Sequence, residues 1–216
     1  GDRNLVKWCF ENGFSALCLE QRSLGERVER LQVKQSSHPC QDAAMRALLF
    51  GRTLMGERLL DIRISLQFLL EAGFLHSHQT SVGVLGNSLG GTVALYANSL
   101  IDEIDFAIAG SCVSSIDHSI AKIYHCTDLY IPALRKFFEF GDLVGLAAPK
   151  PLVIVQGEKD TIFPVEGMRK ATAEIAKIYE AFHASDNLIV KTAPGGHQFY
   201  SSLATEALRE IEGRVF

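Results

Sequence analysis

The hydrophobic pattern of this chain switches repeatedly between short continuous apolar runs and longer stretches of helical period. Five runs read as buried strands: Phe14–Leu19, the run ending at Leu85, Phe106–Gly110, Pro151–Gly157 and Leu188–Thr192. The strongest helix prediction covers Thr53–Ala72, where Met55, Leu59, Ile62, Leu66 and Leu69 recur at alternating steps of four and three. Val93, Ala94, Ala97, Leu100 and Ile101 set a second helix, which begins as soon as the run ending at Leu85 has turned. Val165–Phe182 and Leu203–Val215 follow, with Val165, Met168, Ile175, Tyr179 and Phe182 in the stripe of the first and Leu203, Ala207, Leu208 and Ile211 inward in the second. A shorter helix is predicted over Asp2–Asn12, stopped by Gly13.

Two stretches break the alternation. Within Arg27–Gly51, Pro39 interrupts the pattern, and Asp42 is placed as the cap of a short helix through Met45, Leu48 and Leu49. Ser114–Ala148 carries Tyr124, Tyr130, Phe137, Phe138 and Phe140 with Pro132 and Gly141 among them. It reads as an excursion of short helices over the carboxyl edge of the sheet, packing on the core and walling a substrate pocket. Strands alternating with helices predict a mostly parallel sheet covered on both faces, a three-layer α/β sandwich.

Composition narrows the function classes. At 216 residues the chain suits one domain, 1–216, rather than two. A net charge of -4 without a basic run argues against a nucleic-acid partner. No apolar stretch approaches the roughly 18 residues of a membrane span, and Gly1–Glu11 is too charged for a signal peptide. Five cysteines (Cys9, Cys18, Cys40, Cys112, Cys126) form no C-x-x-C pair, and Cys9, Cys18 and Cys112 sit in apolar segments as small hydrophobes. That usage predicts a reducing, cytoplasmic setting; secretion stays open if a signal precedes Gly1. No histidine and carboxylate set has metal-ligand spacing, and no cofactor is implied.

The candidate chemistry begins at Gly86-Asn87-Ser88-Leu89-Gly90, between a predicted strand and a predicted helix. G-x-S-x-G in that context is a nucleophile elbow: the serine needs an unusual backbone conformation, so the residues two before and two after it must be nearly side-chain-free. Gly157-Glu158-Lys159-Asp160 leaves one later strand, and Gly195-Gly196-His197 leaves the next. In a parallel sheet all carboxyl ends share one edge, so Ser88, Asp160 and His197 can converge. A serine hydroxyl needs an imidazole to take its proton, and the imidazole needs a carboxylate to fix its tautomer and stabilise its cation. Glu158 is the fallback acid. His76 and His78 lie in a polar connector and read as solvated; His125 reads as a packing or surface residue within reach of the pocket. Gly51–Arg58 reads as a solvated helix entry with Glu57 near the positive helix end, with ion pairing or substrate positioning as the alternative.

These motifs resemble the α/β-hydrolase superfamily, from its elbow strand through to its final helix. More narrowly, Leu146-Ala147-Ala148-Pro149-Lys150-Pro151, Gly157-Glu158-Lys159-Asp160 and Gly195-Gly196-His197 resemble dienelactone-hydrolase-like and acetylxylan-esterase-like serine esterases. The resemblance implies Ser88 as nucleophile, His197 as base and Asp160 as acid, with the Leu89 backbone N–H in the oxyanion hole. Dienelactone hydrolases use cysteine, so Ser88 favours the esterase side. The implied activity is cleavage of carboxylic esters, with acetyl esters of carbohydrates as the preferred substrate class. A peptidase, a thioesterase or a non-catalytic α/β-hydrolase-like binding module are the alternatives. The resemblance also implies N-terminal strands that this sequence lacks, among them one between Phe14–Leu19 and the elbow strand, together with the loop that supplies the second oxyanion donor. The expectation is a trailing part of a longer protein; the alternative is a reduced five-strand sheet that closes the gap directly and leaves an incomplete oxyanion site.

Overall fold

The structure, a computed structural model, describes residues 4–29, 38–76 and 80–215. Strands β1 (Gly83–Asn87), β2 (Phe106–Gly110), β3 (Leu152–Gly157) and β4 (Leu188–Ala193) pair in that order, every pair parallel. Among the described residues, eight α-helices surround them: α1 (Leu5–Glu11), α2 (Pro39–Leu49), α3 (Leu54–Glu71), α4 (Leu89–Leu100), α5 (Leu134–Phe137), α6 (Phe140–Gly145), α7 (Val165–Ala181) and α8 (Ser201–Val215). The excursion through Ser114–Ala148 consists of two 3-10 turns followed by α5 and α6, as its broken pattern predicts.

Strand alternation divides the core into two layers. Phe106, Ile108, Val153 and Val155 face one side, where Trp8 of α1 and Leu208 and Ile211 of α8 cover them. Ala107, Ala109, Leu152 and Ile154 face the other, against Met55 of α3, Val93 of α4, Phe140 of α6 and Ile175 of α7. The predicted three-layer sandwich forms, because every inner strand carries apolar residues on both faces and needs helices on both. Thr53 begins the long helix α3 by accepting a hydrogen bond from the Gly56 N–H at 3.0 Å. The helices predicted over Asp2–Asn12, Thr53–Ala72, Val165–Phe182 and Leu203–Val215 all form with ends shifted by a few residues, but Phe182 leaves the predicted stripe: it follows the last turn of its helix and is exposed.

Phe14–Leu19 does not form the predicted strand. An apolar run becomes a strand only where a neighbouring strand takes its backbone N–H and C=O groups, and no described strand lies against this one. Phe14 instead packs against the rings of Trp8 and Phe106, while Leu17 is 58% exposed and Cys18 lies at the surface, not in a core. The described sheet thus has four strands, and the direct five-strand closure is not what forms.

The reading of Arg27–Gly51 also needs correction within its described part. Pro39 opens helix α2 rather than interrupting it, since the first helical position has no intrahelical use for an N–H. Asp42 lies inside the first turn and His38 takes the cap position. The buried side is Cys40, Ala43 and Ala44, whereas Met45, Leu48 and Leu49 are exposed.

The charged entry to α3 is not solvated. Glu57 is buried and pairs with Arg22 and Arg52; Asp61 receives Arg22 at 2.6 Å and Arg27 at 2.9 Å. Arg58 is fully buried, pairs with the equally buried Asp128 of the excursion, and donates to the Arg22 carbonyl at 3.0 Å. Helix α3 is thereby tied at once to the loop after Leu19 and to the Ser114–Ala148 excursion. Asp128→Ala leaves the Arg58 charge buried without its carboxylate and is expected to destabilise the fold by about 3–5 kcal/mol. A fall of that size in the unfolding free energy from urea titration checks it, and an unchanged midpoint contradicts it.

Candidate active site

Ser88 stands between β1 and α4 with φ 55° and ψ -125°, a conformation that L-residues rarely adopt. Such a residue costs roughly 1–3 kcal/mol and persists only where its surroundings over-determine it. Here the surroundings are close-packed backbone. A Cβ on Gly86 would lie 2.1 Å from the Gly90 carbonyl oxygen, and one on Gly91 would lie 2.7 Å from the Cys112 Sγ. The Ser88 N–H donates to the Gly110 carbonyl at 2.8 Å, extending the β1–β2 ladder into the turn. The strand therefore ends at Asn87 and the helix starts on Leu89, with Ser88 between them and no room for a looser connection.

The turns after β3 and β4 complete the constellation. His197 Nε2 lies 2.8 Å from Ser88 Oγ, and His197 Nδ1 lies 2.8 Å from Asp160 Oδ2. The other Asp160 oxygen accepts the backbone N–H groups of Ile162 at 2.8 Å and Phe163 at 3.0 Å. Asp160 is 3% exposed. Burial alone would raise its pKa, but the hydrogen bond from His197 and those from Phe163 and Ile162 together outweigh it and hold the carboxyl below its ordinary range. Glu158, the fallback acid, bonds to the Thr192 hydroxyl at 3.1 Å at the surface and takes no part. His76 is exposed, and His78 lies outside the described residues.

Leu89 contributes the first N–H of α4, a helix start whose leading N–H groups have no intrahelical acceptor. It sits beside Ser88, where the sequence places the first oxyanion donor; the second is not assigned among the described residues. Cys112, beneath Gly91, is fully buried, and burial with the nearby Asp160 charge pushes its thiol up, so it stays neutral and inert.

Sequence reasoning passed over two supports of the acid turn. Phe163 stacks on the His197 ring, with centroids 5.9 Å apart and planes 18° apart. Gln156 is fully buried at the end of β3; it donates to the Phe163 carbonyl at 2.8 Å and exchanges two hydrogen bonds with the Val113 backbone. A glutamine in an otherwise apolar strand was the available signal, since a buried amide must be fully bonded.

No family model matches the sequence. A glucuronoyl esterase from Solibacter usitatus superposes with a TM-score of 0.57 over 74% of this chain and 50% of its own, at 14% identity. The esterase Pf2001 of Pyrococcus furiosus gives 0.50 over 71% of this chain and 62% of its own, at 20% identity. The fold is that of the α/β-hydrolases. In sequence, YtaP of Bacillus subtilis, provisionally named a hydrolase, is 23% identical over 205 residues, 93% of this chain. The chain spans 64% of that protein's length. Within this α/β-hydrolase fold, the elbow after β1 and the turns after β3 and β4 meet at one sheet edge, as parallel pairing requires.

Asp160 links the site to acid stability. Its folded pKa lies below the ordinary value of 3.8, so its contribution is present above that value and is lost as pH falls through the folded pKa. Asp160→Asn should remove that component: urea midpoints measured from neutral pH down to about 3 fall less steeply in the variant than in the wild type. Identical slopes would contradict the assignment.

Proposed function

We propose that this domain is a serine hydrolase that cleaves carboxylic esters through an acyl-enzyme. The observation that carries the reading is the continuous line Ser88 Oγ, His197, Asp160, with both links at 2.8 Å. Ser88 Oγ attacks the ester carbonyl carbon as its proton passes to His197 Nε2. Asp160 holds the imidazole in the Nδ1–H tautomer and stabilises the cation that forms. The Leu89 N–H donates to the oxyanion of the tetrahedral intermediate. Collapse breaks the bond to the alcohol, which leaves with the proton from His197. Water then attacks the acyl-enzyme, gives a proton to His197, and the acid departs as Ser88 recovers its hydrogen.

An ester on a carbohydrate is the substrate class we favour. The resemblance to acetylxylan-esterase-like enzymes supports it, and so do structural neighbours named as glucuronoyl esterases. Acetyl esters are the first choice, because the resemblance in the segments around Asp160 and His197 is to acetyl esterases.

Ser88→Ala is expected to lower kcat/KM for a short-chain chromogenic ester by at least about 10³-fold, with acetate released from an acetylated xylo-oligosaccharide falling in step. Equal rates for variant and wild type would overturn the reading. Turnover of peptides or thioesters with no ester cleavage would move the activity to the corresponding hydrolase class.

A further inference from the structure

The acid turn is held from a side that the triad itself does not explain. Asp160 depends on the N–H groups of Ile162 and Phe163, so the carboxylate is only as well placed as that two-residue backbone. The Phe163 carbonyl is held by Gln156 from the sheet. The Ile162 carbonyl is held from the excursion: Ser119 Oγ donates to it at 2.6 Å, and the same oxygen lies 2.9 Å from His125 Nε2.

Proton counting sets the direction of this relay. A hydroxyl has one hydrogen, and the Ile162 carbonyl can only accept, so Ser119 gives its hydrogen to Ile162. His125 Nε2 must then carry a hydrogen and donate it to Ser119. Both residues are buried, Ser119 at 1% and His125 at 6% exposure, so neither group has water as a substitute. The His125 ring also lies 5.3 Å from the Phe163 ring, whose stacking partner is His197. Burial and the His197 charge lower the His125 pKa, against smaller opposing effects of Asp128 and the Ser119 backbone. His125 therefore stays neutral beside an imidazole that must itself become a cation during the reaction.

We propose that Ser119 and His125 are positioning residues: the relay His125 Nε2–H to Ser119 Oγ–H to the Ile162 carbonyl fixes the acid turn and, through it, the grip of Asp160 on His197. The excursion then does more than pack on the core. It supplies one of the two anchors of the acid turn, and the sheet supplies the other through Gln156. This inference rests on the proposed triad for its kinetic consequence, but its geometric consequence can be read without any substrate.

The test compares Ser119→Ala, His125→Leu and His125→Gln with the wild type, the glutamine amide offering an N–H donor in place of Nε2. The hydrogen bond from His197 Nδ1–H to Asp160 holds that proton at low field in the NMR spectrum, and loosening Asp160 weakens the bond. In Ser119→Ala and His125→Leu, the low-field His197 Nδ1–H resonance should move upfield or broaden away. The value of kcat on a chromogenic ester should fall roughly tenfold or more, with KM changed much less. His125→Gln should keep both near the wild-type values. Near-UV circular dichroism identifies any variant that has lost its packing, and the remaining two then decide. A low-field His197 Nδ1–H resonance unchanged in Ser119→Ala would overturn the proposal, whatever happens to kcat. So would a His125→Gln variant no better than His125→Leu. A wild type that cleaves no ester would defeat the proposed function alone, since the NMR arm still decides the relay.

Discussion

Everything at this site depends on the backbone of Ser88. A residue at φ 55° and ψ -125° survives only if the strand before it and the helix after it are clamped together. The clamp is made from absent side chains: Gly86 lets the Gly90 carbonyl approach, and Gly91 lets α4 settle on Cys112. Ladder pairing adds to it, because the Ser88 N–H bonds to Gly110 at the end of β2. The hydroxyl is thus held out at the carboxyl edge of the sheet, where it meets whatever the next strands deliver.

What they deliver is short and well anchored. β3 ends in Gly157 and β4 in Ala193, and the turns beyond them carry Asp160 and His197 to that same edge. The acid turn is bonded to itself through Ile162 and Phe163, to the sheet through Gln156, and to the excursion through Ser119. The excursion is in turn held down by the buried Arg58–Asp128 pair, so α3 supports the site through it. A buried pair of this kind adds little net stability over an apolar substitute, but it fixes which surfaces meet.

The sequence disclosed the parts of this arrangement that rest on local pattern. Runs such as Phe106–Gly110 and Pro151–Gly157 are apolar on both faces because they lie inside the sheet, and they form where the pattern puts them. Ser88, Asp160 and His197 were legible because each follows such a run in a glycine-marked turn. Phe14–Leu19 misled for a non-local reason: its residues suit a strand, but a strand is made by its neighbour, and none pairs with it among the described residues. Glu57 and Arg58 misled for a similar reason. Charges at a helix start read as solvated until Arg22, 35 residues from Glu57, and Asp128, 70 residues from Arg58, arrive to bury them. His125 looked like a packing residue because its partners, Ser119 and the Ile162 turn, come together only in the folded chain.

The central claim is that Ser88 is a nucleophile activated by His197. The most direct measurement is reaction of the folded protein with a fluorophosphonate probe, followed by peptide mapping of the adduct. A single phosphonylation at Ser88, lost in His197→Ala, is the predicted result. Labelling at another residue, or no labelling of a protein whose fold is intact, would contradict it.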